Sequence, residues 1–211
     1  MKEIIKRLGF EPEVIKKWKK HNPIGQYSDL GEVEREAIRS ACSSEQYYLC
    51  AYCCKKISGS TKDTMNEHVE ARRIAPQRSL DFSNIVASCR TFKQCDDAHG
   101  SQPLPFSPLV KACESELSFT LSGKIIGLTD RAKEAIKILN LGDELTGNRS
   151  LIEQRKQLVT SLLLCNGVDP EDGIEDNEIL KMLIQDLSTP KDGELEAFSP
   201  AAISVLKQWV L

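Results

Sequence analysis

Nowhere in the 211 residues does an apolar run approach the roughly 18 positions that cross a bilayer, and the opening stretch MKEIIKRLGF lacks the continuous apolar block of a secretory leader. These absences predict a cytoplasmic protein with no membrane association. Internal repeats and low-complexity tracts are missing too, and 40% hydrophobic against 28% charged residues is enough to bury a core, so the chain reads as one domain or a compact pair. There is also no polybasic tail. Residues 1–100 hold 17 Lys and Arg against 14 Asp and Glu, whereas residues 101–211 hold 11 against 17. Strong unaided binding to a phosphate backbone is therefore not expected, although Arg72, Arg73, Arg78, Arg90 and Lys93 crowd one region, as a local basic patch or as a solvated charged face.

Against these absences stand eight cysteines. A reducing cytosol keeps thiols free, so clustered cysteines there point to metal binding or catalysis before disulfides. Cys50 and Cys53 form a CxxC knuckle, and Cys89 and Cys95 enclose five residues further along. Two such pairs can converge on one tetrahedral zinc, and with four sulfurs the metal has no open position and is structural. Cys42, Cys54, Cys113 and Cys165 are left as buried free thiols. The EF-hand order is not met in CNGVDPEDGIEDNE, so Asp169, Glu171, Asp172, Glu175 and Asp176 read as a solvated loop and helix start.

Three segments emerge from the pattern. Residues 1–46 read as helical, with pieces on either side of Gly9 that place Ile4, Ile5 and Leu8 on one face, and a further helix over 29–46. Residues 47–107 have weak helical periodicity and rising Cys, His and Pro content, as expected of a metal-organised unit. Residues 108–211 open with a hairpin in SFTLSGKIIGL and continue as helices, capped at Thr129 or Asp130, at Asn148 or Ser150, and at Ser199-Pro200. The fold class is α+β, mainly helical.

Between the thiol pairs lies NEHVEARRIAP. Adjacent Glu67 and His68 on a strand point to opposite faces, so one can hold a metal while the other works on a substrate. A lone histidine is ordinarily a core or surface residue; His68 differs by its setting.

The order CxxC, Glu-His, Asn84 in FSNIVASC, and a second Cys pair followed by Asp96 and His99 resembles the HNH endonucleases of the ββα-metal class, and most nearly the PtuB-like nuclease subunits of Septu-type and retron-associated antiphage systems. The resemblance runs from about residue 30 to 156 and includes CDDAHG, the G-K-I hairpin and Leu145 to Arg149. It departs from the pattern at Ala71, where the family carries proline, and at His99, where it carries lysine. The resemblance implies a treble-clef-like, zinc-stapled ββα-metal core between N-terminal helices and a C-terminal region that docks a partner. It implies that His68 is the general base, that Glu67 and Asp96 hold Mg²⁺ or Mn²⁺ with His99 as a second candidate ligand, and that Asn84 braces the His68 loop. Arg72, Arg73 and Lys93 become phosphate contacts. The implied substrate is nucleic acid, DNA before RNA or tRNA, and the implied partner is an ABC- or SMC-like ATPase (PtuA-like), in some systems with a retron reverse transcriptase and its msDNA. Two other readings of the cysteines stand beside this one. A non-catalytic zinc module that binds protein or nucleic acid explains the four thiols equally well, and a thiol-redox role for Cys50-Ala-Tyr-Cys53 lacks the βαβ context it needs.

Overall fold

The computed structural model describes residues 1–143, 145, 147–170 and 176–209; Glu171, Asp172 and Glu175 of the acidic linker lie outside them. In chain order the elements are α1 (Glu13–His21), α2 (Glu32–Glu45), β1 (Thr64–His68), β2 (Ile85–Cys89), α3 (Asp96–His99), β3 (Leu117–Phe119), β4 (Ile125–Gly127), α4 (Asp130–Ile138), α5 (Arg149–Cys165), α6 (Asn177–Ser188) and α7 (Ser199–Leu206). The class is α+β: among the described residues, seven α-helices surround two separate antiparallel hairpins, β1–β2 and β3–β4. No helix of the described residues is long and apolar enough to cross a membrane.

Local chemistry explains most boundaries. The Thr129 hydroxyl accepts the Ala132 amide to start α4, the Asn148 side chain accepts the Leu151 amide to start α5, and Asp176 accepts two amides at the head of α6. Asn140, in the left-handed region at φ 50°, ends α4 by turning the chain so that the Leu141 amide reaches back to the Ile136 carbonyl.

The N-terminus departs from expectation. Residues 2–8 form no helix; the Ile4 amide donates to the Pro108 carbonyl at 2.8 Å, which pins an irregular segment so that Met1 and Ile4 enter the core while Ile5 and Leu8 remain exposed. A tertiary hydrogen bond has overridden a short amphipathic pattern, as is common for pieces too short to be stable helices. Cys165 is also not buried, unlike Cys42, Cys54 and Cys113. The buried stripe of α5 is Leu151, Arg155, Val159 and Leu163, and two residues beyond Leu163 the helix has turned to its far side.

One continuous hydrophobic cluster draws on all three segments, including Ile4, Ile38, Tyr52, Ile85, Phe119, Ile136, Leu163 and Val205. The β1–β2 hairpin lies under α2 and is buried along the whole of β2. The outer edge of β2 is satisfied by a side chain: the Gln46 amide donates to the Ala87 carbonyl at 2.8 Å and accepts the Ala87 amide at 2.7 Å, standing in for a third strand. At the second hairpin, Gly123 has φ +82° and packs so tightly on α5 that a Cβ there would lie 2.0 Å from the Ile152 carbonyl oxygen. Gly123→Ala should therefore lower unfolding free energy by about 2–4 kcal/mol, read from the urea midpoint at constant slope.

Candidate functional site

The knuckle around Cys50 forms because the chain turns through left-handed residues at Tyr47, Tyr48 and Cys54, and because the Cys50 amide donates to Lys55 while the Cys54 amide returns to Cys50. The Ala51 amide then donates to Ala87 at 3.0 Å, fixing the knuckle against β2, whose last residue is Cys89. Cys95 arrives from the other side, its amide donating to the Leu139 carbonyl at the end of α4 at 2.9 Å. The result is four buried sulfurs, all within 4.8 Å of one another. The Cys50–Cys95 and Cys53–Cys89 sulfur separations are both 3.8 Å. A disulfide requires about 2.05 Å, whereas a tetrahedron with metal–sulfur bonds near 2.3 Å has edges of about 3.8 Å. The Cys89 amide donates to the Cys50 sulfur at 3.3 Å and the Gln94 side chain to the Cys89 sulfur at 3.8 Å, donors that favour thiolate. The four cysteines can hold a metal ion such as zinc.

The hairpin that ends at Cys89 carries the Glu-His pair at its other end, with Glu67 opposite Val86 and His68 opposite Ile85. Their side chains take opposite faces. Glu67 faces the knuckle: its Oε1 accepts the Tyr52 hydroxyl at 3.1 Å and lies 2.5 Å from Nδ1 of His99. Asp96, the first residue of α3, is positioned by its amide donating to Ser88 at 3.3 Å, and its carboxyl shares a hydrogen bond with Glu67. Burial, then the neighbouring Glu67 carboxylate, raises the Asp96 pKa from 3.8 to about 8. Burial likewise raises Glu67. Two carboxyls this close cannot both ionise without a cation or a shared proton.

His99 holds the acid pair from behind. Its Nε2 donates to the Gln102 carbonyl at 2.8 Å and its Nδ1 meets Glu67, so both ring nitrogens are engaged. His68 stands on the other face. The Ser79 carbonyl, 2.9 Å away, can only accept, so Nε2 carries the proton and Nδ1 the lone pair. Tyr27 packs edge-on at 4.7 Å, and burial, with a smaller contribution from the Arg72 charge, lowers the His68 pKa, while Asp96 acts in the opposite sense. Asp96 is thus within electrostatic reach of His68 as well as bonded to Glu67. Asn84 acts on the backbone that follows His68, donating to the Glu70 carbonyl at 3.0 Å and accepting the Glu70 amide at 2.9 Å.

No protein-family model and no curated protein matches the chain.

Sequence reading thus named residues that the fold brings into two adjoining groups, the four cysteines and the set Glu67, His68, Asn84, Asp96 and His99. Of the three basic candidates, Arg72 stands beside His68 and over Tyr27; Arg73 is exposed nearby in sequence, and Lys93 lies in the loop between Cys89 and Cys95. Tyr52, Tyr27 and Ser79 were missed. Tyr52 sits inside the CxxC motif and carried a signal, since a tyrosine buried there needs a partner for its hydroxyl. Ser79 acts through its backbone, which no side-chain pattern encodes.

Two outcomes are expected. Cys50→Ser should reduce bound zinc from one per chain to none by elemental analysis and lower the thermal midpoint by about 10 °C. Because Asp96 titrates higher folded than unfolded, its contribution to stability is full below the unfolded value and is lost as pH rises toward about 8. Relative to wild type at the same pH, the urea midpoint of Asp96→Asn in magnesium-free protein should rise steadily from pH 6.5 to about pH 8 and level off above it.

Proposed function

We propose that this protein is a metal-dependent endonuclease of the HNH type that hydrolyses phosphodiester bonds of nucleic acid, DNA before RNA, with a ββα-metal core formed by β1, β2 and α3. The observation that carries the reading is the junction of the buried Glu67 carboxyl, 2.5 Å from His99, with the half-buried Asp96 carboxyl that shares a hydrogen bond with it and lies within electrostatic reach of His68. Hard oxygen donors of this kind fit Mg²⁺ or Mn²⁺. Such a cation, when bound, stabilises charge building on the phosphoryl oxygens and leaving group. Asp96 is the better second ligand, because His99 is engaged at both ring nitrogens and instead orients Glu67.

The chain's own residues account for the rest. His68, held neutral by burial and as the Nε2–H tautomer by Ser79, keeps its Nδ1 lone pair to take the proton of an attacking water. Tyr27 fixes the ring plane, and Asn84 fixes the backbone leaving it. Arg72 contributes positive charge beside the ring and would hold a phosphate oxygen. The four cysteines would hold zinc as a structural ion, keeping strand, loop and α3 in register, with no open position for substrate. An ATPase partner of the ABC or SMC-like kind, with or without a retron reverse transcriptase, is supported by the acidic C-terminal segment and by the exposed Leu164, Ile179 and Met182 on α5 and α6.

A second reading, a non-catalytic zinc module, draws on the burial of His68, which is only 5% exposed. Plasmid, single-stranded DNA and total RNA incubated with Mg²⁺ or Mn²⁺, with and without the co-purifying partner, separate the two. The nuclease reading expects cleavage that falls 10²- to 10⁴-fold in His68→Ala while zinc is retained; no cleavage in any arm by zinc-loaded protein favours the binding module.

A further inference from the structure

Five of the six phenylalanines, Phe10, Phe82, Phe106, Phe119 and Phe198, are buried or half-buried. The sixth, Phe92, is 76% exposed in the loop between Cys89 and Cys95. That loop is not slack. The Arg90 amide donates to the Asp63 carbonyl at 3.0 Å and the Arg90 guanidinium to the Thr61 carbonyl; the Lys93 amide donates to the Asp97 carboxylate at 2.6 Å, and the Lys93 carbonyl accepts from Asn140 at 2.7 Å. Gln94 is bonded to Asn148, and both ends of the loop are sulfur ligands. Lys93 holds the left-handed region at φ 54°, a conformation disfavoured for lysine, and its Nζ lies 5.3 Å from the Phe92 ring centroid. A rigid frame therefore presents an aromatic side chain to solvent, at a conformational cost, with the Lys93 ammonium near its ring and Arg90 two residues before it.

We propose that Phe92 and Lys93 form a platform on which one unpaired base of the substrate strand stacks, with Arg90 and Lys93 answering the flanking phosphates. The choice of ligand rests on the nuclease reading above. Thr64 pairs with Cys89 and His68 with Ile85, so the loop sits at the opposite end of the hairpin from His68, four residues or about 13 Å along the strand. That is a distance a few nucleotides of extended strand cover. The local acids are occupied: Asp63 accepts from Ser58 and Thr64, and Asp97 from the Lys93 amide. The neighbours of Phe92 in the loop are Arg90, Thr91, Lys93 and Gln94, a polar surround that suits a base on a charged backbone better than an apolar protein contact. In a duplex both faces of each base are already covered, so the platform selects single-stranded or locally opened nucleic acid.

The test uses full-length, zinc-loaded protein carrying His68→Ala to prevent cleavage, and fluorescence anisotropy with a labelled 12-nucleotide oligothymidine, the matching oligouridine, and an oligothymidine–oligoadenosine duplex. Adding Phe92→Ala should weaken binding of the single strands roughly 5- to 150-fold and leave duplex binding within about twofold, while Phe92→Trp retains single-strand binding. Zinc content confirms that the exposed substitution left the fold intact. The proposal is overturned if Phe92→Ala binds single strands within twofold of its parent, if the parent binds no single strand at micromolar concentration, or if Phe92→Ala abolishes association with the co-purifying protein while oligonucleotide binding is unchanged. The nuclease reading fails separately: wild type that cleaves nothing yet binds single strands through Phe92 keeps the platform and loses the hydrolase, and cleavage that is indifferent to Phe92 does the reverse.

Discussion

The convergence of Cys50, Cys53, Cys89 and Cys95 is the constraint on which the remainder depends. Three stretches of chain that share little regular hydrogen bonding, the knuckle after α2, the end of β2 and the start of α3, meet at these four sulfurs. The two hairpins are short and separate, and neither is large enough to stand alone. A metal ion held by the cluster would close the loop from Cys89 to Cys95 and fix the direction in which the following residues leave. Asp96 inherits its position from Cys95 through a single peptide bond, and Glu67 inherits its position from β1 pairing with β2.

Burial then sets the chemistry of the groups so placed. The same desolvation raises the two carboxyls and lowers the two histidines, so acids tend toward neutral and imidazoles toward unprotonated. Such a set can share protons among its members without a net charge being buried. The histidines have separate tasks despite similar environments. His99 has both nitrogens engaged and stiffens Glu67, whereas His68 has one nitrogen tied to a carbonyl and the other left with its lone pair.

Much of this was legible in the residues. Cysteine spacing picked out the four thiols that cluster, the strand period placed Glu67 and His68 on opposite faces, and the caps of α4 and α5 were among the alternatives as Thr129 and Asn148, whereas Asp176 was read only as part of a loop and helix start. The misreadings have physical causes. Ile4, Ile5 and Leu8 are spaced for a helix, but the Ile4 amide is captured by Pro108, more than a hundred residues away, and no local pattern reports such a bond. Ser79 contributes a carbonyl, and Gln46 acts as a surrogate strand, roles that belong to the backbone geometry of the fold. Tyr27 reaches His68 only because α2 packs on the hairpin and brings the preceding turn with it.

The bond from the Cys95 amide to Leu139 has a mechanical reading. Leu139 is the C-cap of α4, and Cys95 immediately precedes Asp96. One hydrogen bond and one peptide unit thus separate the end of α4 from the carboxyl that pairs with Glu67. A tether that short has little slack, so the backbone position of Asp96 is tied to that of the end of α4.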